Sequence, residues 1–300
     1  MTLGECIAEG EALFTTAEIQ YGQGTLNAWD EARWLALAAL ELPVDSPVTV
    51  ENRALSAEAL ASVRALFARR VRERQPAAYL TQTAWLKGHR FHVDSRVIIP
   101  RSFIAELILN GFAPWRSRTQ TTNRILDLCT GSGCLAIIAA GQFPAARVVA
   151  TDLSTDALEV ARINRAAHRL DDRIELLASD VFDAVPPQTF DVIMSNPPYV
   201  PPHKRSRLPA EFRAEPEMAL IAGDAGMAIV RNILRDAVRY LAPDGLLVVE
   251  IGREKKACQR LLQREFGQLP VQWVRTHEQR DNVFVVAQSL LVQHPWRATP

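Results

Sequence analysis

The sequence predicts a three-layer α/β fold: a seven-stranded, mainly parallel sheet, preceded by a small helical domain and a connecting β-hairpin. Three observations carry this reading. From Arg124 onward short apolar runs alternate with amphipathic stretches, the pattern of parallel strands covered by helices on both faces. Before Pro76 the apolar residues recur at helical spacing instead. Between these regions, two short β-type runs flank Lys87-Gly88-His89, with glycine at the bend.

Residues 1–75 form the predicted helical domain. A first helix spans 3–21 and stops at Gly22-Gln23-Gly24. Asn27 is placed to cap a second, which carries Trp29, Trp34, Leu35 and Leu37 and ends before Pro43. Ser56 is placed to cap a third, with Leu60, Val63, Leu66 and Phe67 on one side and Pro76 as its stop. The basic end of this helix (Arg64, Arg69, Arg70, Arg72, Arg74) suits a solvated face, and also an RNA-rich partner. Residues 76–100 hold the hairpin, a linker or lid, and residues 101–300 the α/β domain. Its strands are predicted at 124–129, 147–153, 174–179, 190–195, 246–251, 271–276 and 283–287. Amphipathic stretches lie near 133–143, 155–169, 226–241 and 255–266. No helix separates the last two strands, so an antiparallel pair is expected to close that edge.

Composition removes several function classes. Lys+Arg and Asp+Glu are both 34, giving a net charge of zero, so stable nucleic-acid binding driven by counterion release is not expected. Hydrophobic residues make up 48% and charged residues 23%, which fits a globule with a sizeable core rather than a disordered chain. Cys6, Cys129, Cys134 and Cys258 form no CxxC pair, so no zinc ribbon is expected and a reducing compartment is. The acidic start (Glu5, Glu9, Glu11) is unlike a signal peptide, and no apolar run reaches the roughly 18–20 residues of a membrane span. A soluble, cytoplasmic protein with no membrane partner is the expectation.

The first α/β strand runs into a glycine turn, Asp127-Leu128-Cys129-Thr130-Gly131-Ser132-Gly133. In open α/β sheets ligands sit beyond the carboxyl ends of the strands. Gly131 and Gly133 lack a Cβ, so a ligand can lie against the backbone there. Glycines in such a turn are also often merely steric, and Gly131-x-Gly133-x-x-Ala136 satisfies the relaxed dinucleotide fingerprint as well. Asp152, about twenty residues on, suits ribose hydroxyls. Asp180, in Ser179-Asp180-Val181, suits an adenine amino group. Either carboxylate equally suits a helix cap. Asp127, before the glycines, suits a ligand with a cationic amino group rather than a pyrophosphate. Adenosine joined to an amino acid describes S-adenosylmethionine.

The fourth strand ends in Asn196-Pro197-Pro198-Tyr199. Two prolines fix φ and remove two N–H groups, and Asn196 before them is pushed to an extended conformation. The Asn196 Oδ1 and the Pro197 carbonyl are then two acceptors for both hydrogens of one planar amino group, with Tyr199 beside them. Adenine, cytosine and a glutamine amide all carry such a group, and in each the nitrogen lone pair is delocalised. Full loss of amide resonance would cost about 18–20 kcal/mol, so partial pyramidalisation in the transition state is what an elbow of this kind supplies. No metal site is expected.

On these residues the chain resembles the bacterial N(5)-glutamine methyltransferases, which carry NPPY. The similarity runs over nearly the whole chain. It implies a class I (Rossmann-like) S-adenosylmethionine-dependent catalytic domain over 101–300, with residues 1–75 recognising the substrate. It further implies cofactor contacts from residues 129–133, Asp152, Val181 and Asn196, with Asn196 through Tyr199 holding the glutamine. Pro100-Arg101-Ser102-Phe103, Tyr79-Leu80-Thr81, Ala84-Trp85, Gly88-His89 and Leu208-Pro209-Ala210-Glu211-Phe212 are similar to the branch that modifies ribosomal protein L3 rather than the branch that modifies release factors. Two stretches depart from the family pattern. Arg253-Glu254 stands where Asn-Ser is usual after Glu250-Ile251-Gly252, and Arg280-Asp281-Asn282 where Gly-Asp-Gly is usual. The competing expectations are a release-factor methyltransferase, an adenine-amino methyltransferase acting on DNA or RNA, a nicotinamide enzyme, and a non-catalytic assembly factor.

Overall fold

The computed structural model describes residues 1–117, 119–276 and 281–297. Three helices open the chain: α1 (Leu3–Thr16), α2 (Ala28–Ala39) and α3 (Ala57–Glu73). Each begins at a side-chain cap, with Thr2, Asn27 and Ser56 accepting from the backbone N–H of Glu5, Asp30 and Ala59. The first helix is shorter than its apolar periodicity suggests. Glu18 turns into the left-handed region at φ 52°, and the Ile19 N–H reaches back to Phe14 O at 3.1 Å. That is a Schellman-type stop, with Ile19 buried behind it. The basic end of α3 is also not one solvated face: Arg70 is only 1% exposed.

The hairpin pairs β1 (Thr83–Leu86) with β2 (His89–His92). It lies against the helix Thr155–Ala167, where buried Asn164 acts as a connector. Its Oδ1 accepts from the His92 N–H at 2.6 Å. Its Nδ2 donates to His92 O at 3.0 Å and to Ser132 O at 2.9 Å.

The seven-stranded sheet contains β3 (Arg124–Leu128), β4 (Arg147–Asp152), β5 (Ile174–Ala178), β6 (Phe190–Ser195), β7 (Leu241–Glu250), β8 (Gln272–Arg275) and β9 (Asp281–Ala287). Their order is β5-β4-β3-β6-β7-β9-β8. Pairing is parallel from β5 to β7, and β9 enters antiparallel between β7 and β8, as the missing helix between the last two strands predicts. Helices Cys134–Gln142, Thr155–Ala167, Ala228–Tyr240 and Lys255–Phe266 supply the crossovers. Only turns, with no helix, join β5 to β6. Strand order reverses between β3 and β6, so their adjacent carboxyl ends form the switch point where α/β sheets bind ligands. Arg280 lies outside the described residues. Asp281 pairs with Lys255 at 2.5 Å, and the Asn282 carbonyl accepts from the Ile251 N–H at 2.8 Å. No helix among the described residues is long and apolar enough to cross a membrane.

Candidate active site

The glycine turn after β3 is held by side chains as well as backbone. Asp127 is fully buried, and its Oδ2 accepts from Thr130 Oγ1 at 2.6 Å and from the Ala136 N–H at 3.2 Å. Burial pushes its carboxyl up to about 7, because the charged form loses hydration there. Its Oδ1 is buried without a hydrogen-bond partner. Cys129, Gly131 and Gly133 all take positive φ. The two glycines do different work. A Cβ on Gly131 would meet nothing within 4 Å, whereas one on Gly133 would lie 3.2 Å from Ala161 Cβ. Gly131 therefore opens the turn toward the cleft, and Gly133 lets it pack on the neighbouring helix.

Asp152, at the end of β4, accepts from the Gly131 N–H at 2.9 Å and from the Ser154 N–H at 2.9 Å. It braces the turn while lining the cleft, and burial raises its carboxyl above the usual range. The cap of the following helix is Ser154, whose hydroxyl accepts from the Ala157 N–H, so Asp152 is not consumed as a cap. Asp180 is exposed at the cleft. Val181 follows it at φ 49°, a conformation that β-branched residues rarely adopt and that strained functional turns retain.

One cavity gathers Cys129, Gly131, Asp152, Asp180, Val181, Asn196 and Pro198. A second adjoins it around Asn196, Pro197 and Tyr199. Asn196 belongs to both. Asp127, Thr130, Ser132 and Gly133 are buried within the turn and its base and do not line these walls. The elbow itself is clamped. A Cβ on Gly226 would overlap the Tyr199 carbonyl, and one on Gly252 would sit within 2.7 Å of the Tyr199 ring carbon Cζ. Both positions have positive φ, so glycine is required twice over. Pro197 is buried and Asn196 half-buried. The buried Ser195 hydroxyl beneath donates to Leu128 O at 2.8 Å, tying the elbow to the glycine turn.

A family model described as "Methyltransferase small domain" matches residues 116–223. The sequence is 45% identical over 297 residues to "Ribosomal protein uL3 glutamine methyltransferase" of Burkholderia pseudomallei (strain K96243), covering 97% of this chain and 95% of that one. The protein of the same name from Bordetella pertussis (strain Tohama I / ATCC BAA-589 / NCTC 13251) is 46% identical over 291 residues, with 97% and 96% covered. The chain belongs to this glutamine methyltransferase family. Among solved structures, the hMettl16 catalytic domain in complex with MAT2A 3'UTR hairpin 1 aligns with a TM-score of 0.50 at 17% identity, over 66% of this chain and 74% of that one. That likeness is one of fold.

Membership in the family makes the protein an enzyme, a methyltransferase, and favours that reading over a nicotinamide enzyme and a non-catalytic factor. The cleft also contains residues that motif reading passed over. Arg96, Val97 and Ile98, just after the hairpin, wall the first cavity together with Leu153, Met218, Ala219 and Ile229. Arg101 and Leu220 wall the second. Arg101 is fixed by a two-point pair with buried Glu215 at 2.5 and 2.7 Å. Next to it, the Ser102 hydroxyl and the Phe103 N–H donate to Glu250 Oε2 at 2.6 and 3.0 Å. Glu250 is buried at the end of β7, which pushes its carboxyl up to about 7. The far wall has one signal in the sequence that motif reading passes over: a connection of about 30 residues after the elbow, longer than a structureless link in a compact domain normally runs.

Proposed function

We propose that this chain transfers the methyl group of S-adenosylmethionine to the side-chain amide nitrogen of a glutamine in ribosomal protein L3, in the cytoplasm. The observation that carries the reading is that Asn196 is a shared wall of the two cavities. A cofactor on one side and an amide on the other would meet at its side chain.

The cofactor cavity fits S-adenosylmethionine on its own residues. Gly131 leaves the backbone open, Asp180 presents an exposed carboxylate for an amino group, and Leu153 and Ile229 offer apolar cover for a base. Asp152 suits the ribose hydroxyls. The unpartnered Oδ1 of Asp127 sits behind the turn, where a cationic amino group would be attracted through it. When bound, the cofactor supplies an electrophilic methyl carbon on a sulfonium.

The elbow prepares the nucleophile. Asn196 Oδ1 and the Pro197 carbonyl accept the two amide hydrogens and hold them out of the amide plane, which directs the nitrogen lone pair at the methyl carbon. With the cofactor bound, the nitrogen would take the methyl as the thioether leaves, and its surplus proton, held by these two acceptors, would pass to solvent. Positive charge disperses in this step, so the apolar walls from Ile98, Pro198, Val200 and Leu220 favour it by limiting water. Choice of protein must come from outside the elbow, and the helical segment with the hairpin is the surface available for docking free or assembling L3.

Incubation with labelled cofactor tests the reading against purified L3, a release factor and adenine-containing DNA. Label on a glutamine of L3 is expected. Comparable label on the release factor overturns the branch, and label on DNA alone overturns the substrate class.

A further inference from the structure

Residues 201–220 form a loop attached at three places. At its base, the Val200 N–H donates to Leu220 O at 2.9 Å and the Ala222 N–H to Val200 O at 3.0 Å. At its shoulder, Glu215 pairs with Arg101 and accepts from the Ile99 N–H at 3.1 Å. Its tip reaches the N-terminal helices. There Glu211, 1% exposed, lies 3.4 Å from Arg74 Nη1 and 3.8 Å from Arg70 Nη1. Gln23 Nε2 donates to the Glu211 carbonyl at 3.3 Å. Arg70 also holds Glu31 of α2 at 2.6 Å, and Glu31 accepts from Thr25 Oγ1 at 2.7 Å. Two carboxylates and two guanidinium groups thus face one another between the helices and the loop, all buried except Arg74. Glu211 is held there by ion-pair contact without a side-chain hydrogen bond. The loop's returning limb carries Met218, Ala219 and Leu220, walls of both cavities.

We propose that Glu211 is a positioning residue for methyl transfer. It pins the loop tip to α3 and so sets the Met218–Leu220 wall against the elbow. Apolar residues of similar volume are often as stabilising as a buried ion cluster. What the charges add is a single register, because shifting the tip along α3 would separate Glu211 from both arginines. The N-terminal helices thereby become part of the active-site wall as well as a docking surface. Met218 and Ala219 also cover the cofactor cavity. The polar groups proposed for the cofactor, however, stand at the ends of β3, β4 and β5, so the pin acts mainly on the acceptor cavity, which Ala219 and Leu220 wall. This inference rests on the proposed glutamine methylation of L3.

The test compares wild type, Glu211→Gln and Glu31→Gln with labelled cofactor and purified L3. Glu31 shares Arg70 but stands on α2, off the loop. Glu211→Gln is expected to lower kcat about tenfold or more, with cofactor Kd and the KM for L3 within about threefold of wild type. Glu31→Gln is expected to lower Tm while keeping kcat. Equal kcat losses in the two variants, or an unchanged kcat in Glu211→Gln, overturn the proposal. Should Glu211→Gln fail to fold, Arg74→Gln, which removes the partly exposed partner, carries the same readouts: lowered kcat supports the pin and unchanged kcat overturns it. A wild type that leaves L3 unlabelled overturns the functional reading itself. Labelled L3 beside an unimpaired variant overturns the pin alone.

Discussion

The two halves of the cleft are built by different means. On the cofactor side, main-chain turns at positive φ follow β3 and β5, and Asp152 is held by backbone N–H groups. On the elbow side, two prolines stiffen the chain and two bare glycines receive Tyr199. The first half sets a few polar groups on main-chain turns beneath apolar cover from Leu153 and Ile229, while the second is fixed sterically around Tyr199. The difference teaches where each half should fail: damage to the polar groups of the first should cost affinity, and damage to the packing of the second should cost geometry and therefore turnover.

The largest effect is expected from Gly226→Ala. The new methyl overlaps the Tyr199 carbonyl at a position already at φ 88°, so a loss of about 2–4 kcal/mol in stability is expected, together with loss of turnover. Thermal unfolding and a methylation assay check both. A wild-type Tm would mean that the elbow yields easily, and the contrast would collapse.

Asn196→Ala should sharpen it. The fold should persist while kcat falls by about 10²–10⁴, because alignment of the amide is lost. Asn196→Asp should also be slow, since a fixed negative charge near the sulfonium favours the ground state over the charge-dispersed transition state. Steady-state kinetics on either variant decides this, and a near wild-type kcat would make Asn196 structural.

Asp152→Ala should act on the other half. Cofactor affinity is expected to weaken by about 1–3 kcal/mol, with kcat at saturation largely kept. Titration calorimetry measures the first and saturating kinetics the second. Unchanged affinity in a folded variant removes Asp152 from the cofactor site.

The smallest effect concerns pH. Asp127 lies at the base of the glycine turn and Glu250 holds Ser102 and Phe103, and burial raises both carboxyls to about 7. A raised carboxyl means that the folded state holds protons which the unfolded state has already released. Stability from these groups is therefore fullest below about pH 4 and falls as pH rises toward 7. Glu250→Gln keeps an acceptor for Ser102 and should flatten part of that slope. Denaturant unfolding at pH 5 and pH 7.5 reads the change, and an unaltered slope would show that Glu250 stays ionised in the fold.

What the sequence made legible was local. Strand β6 falls at 190–195 as its apolar run indicates, and Asn27 and Ser56 cap the helices they precede. The NPPY elbow and Asp152 line one cavity because their strands, β6 and β4, flank β3 in parallel. What stayed hidden depends on distant pairings. Arg70 looks like one more exposed arginine on a basic helix until Glu31 and Glu211 approach it, and Arg101 is only a letter of the Pro-Arg-Ser-Phe motif until Glu215 arrives from 114 positions away. Gly131 and Gly133 are equivalent as letters. Only the packing against Ala161 separates their roles.

Asn164 gives the hairpin a stake in the cofactor site. One side chain joins the main chain of His92 to that of Ser132, and Gly133 seats the same turn on the helix carrying that asparagine. Turn, helix and hairpin are thus coupled as one mechanical block. Ligation at Gly131 should damp openings throughout it, so the His92 amide should exchange with deuterium more slowly when the cofactor is bound, although no ligand atom need come near it.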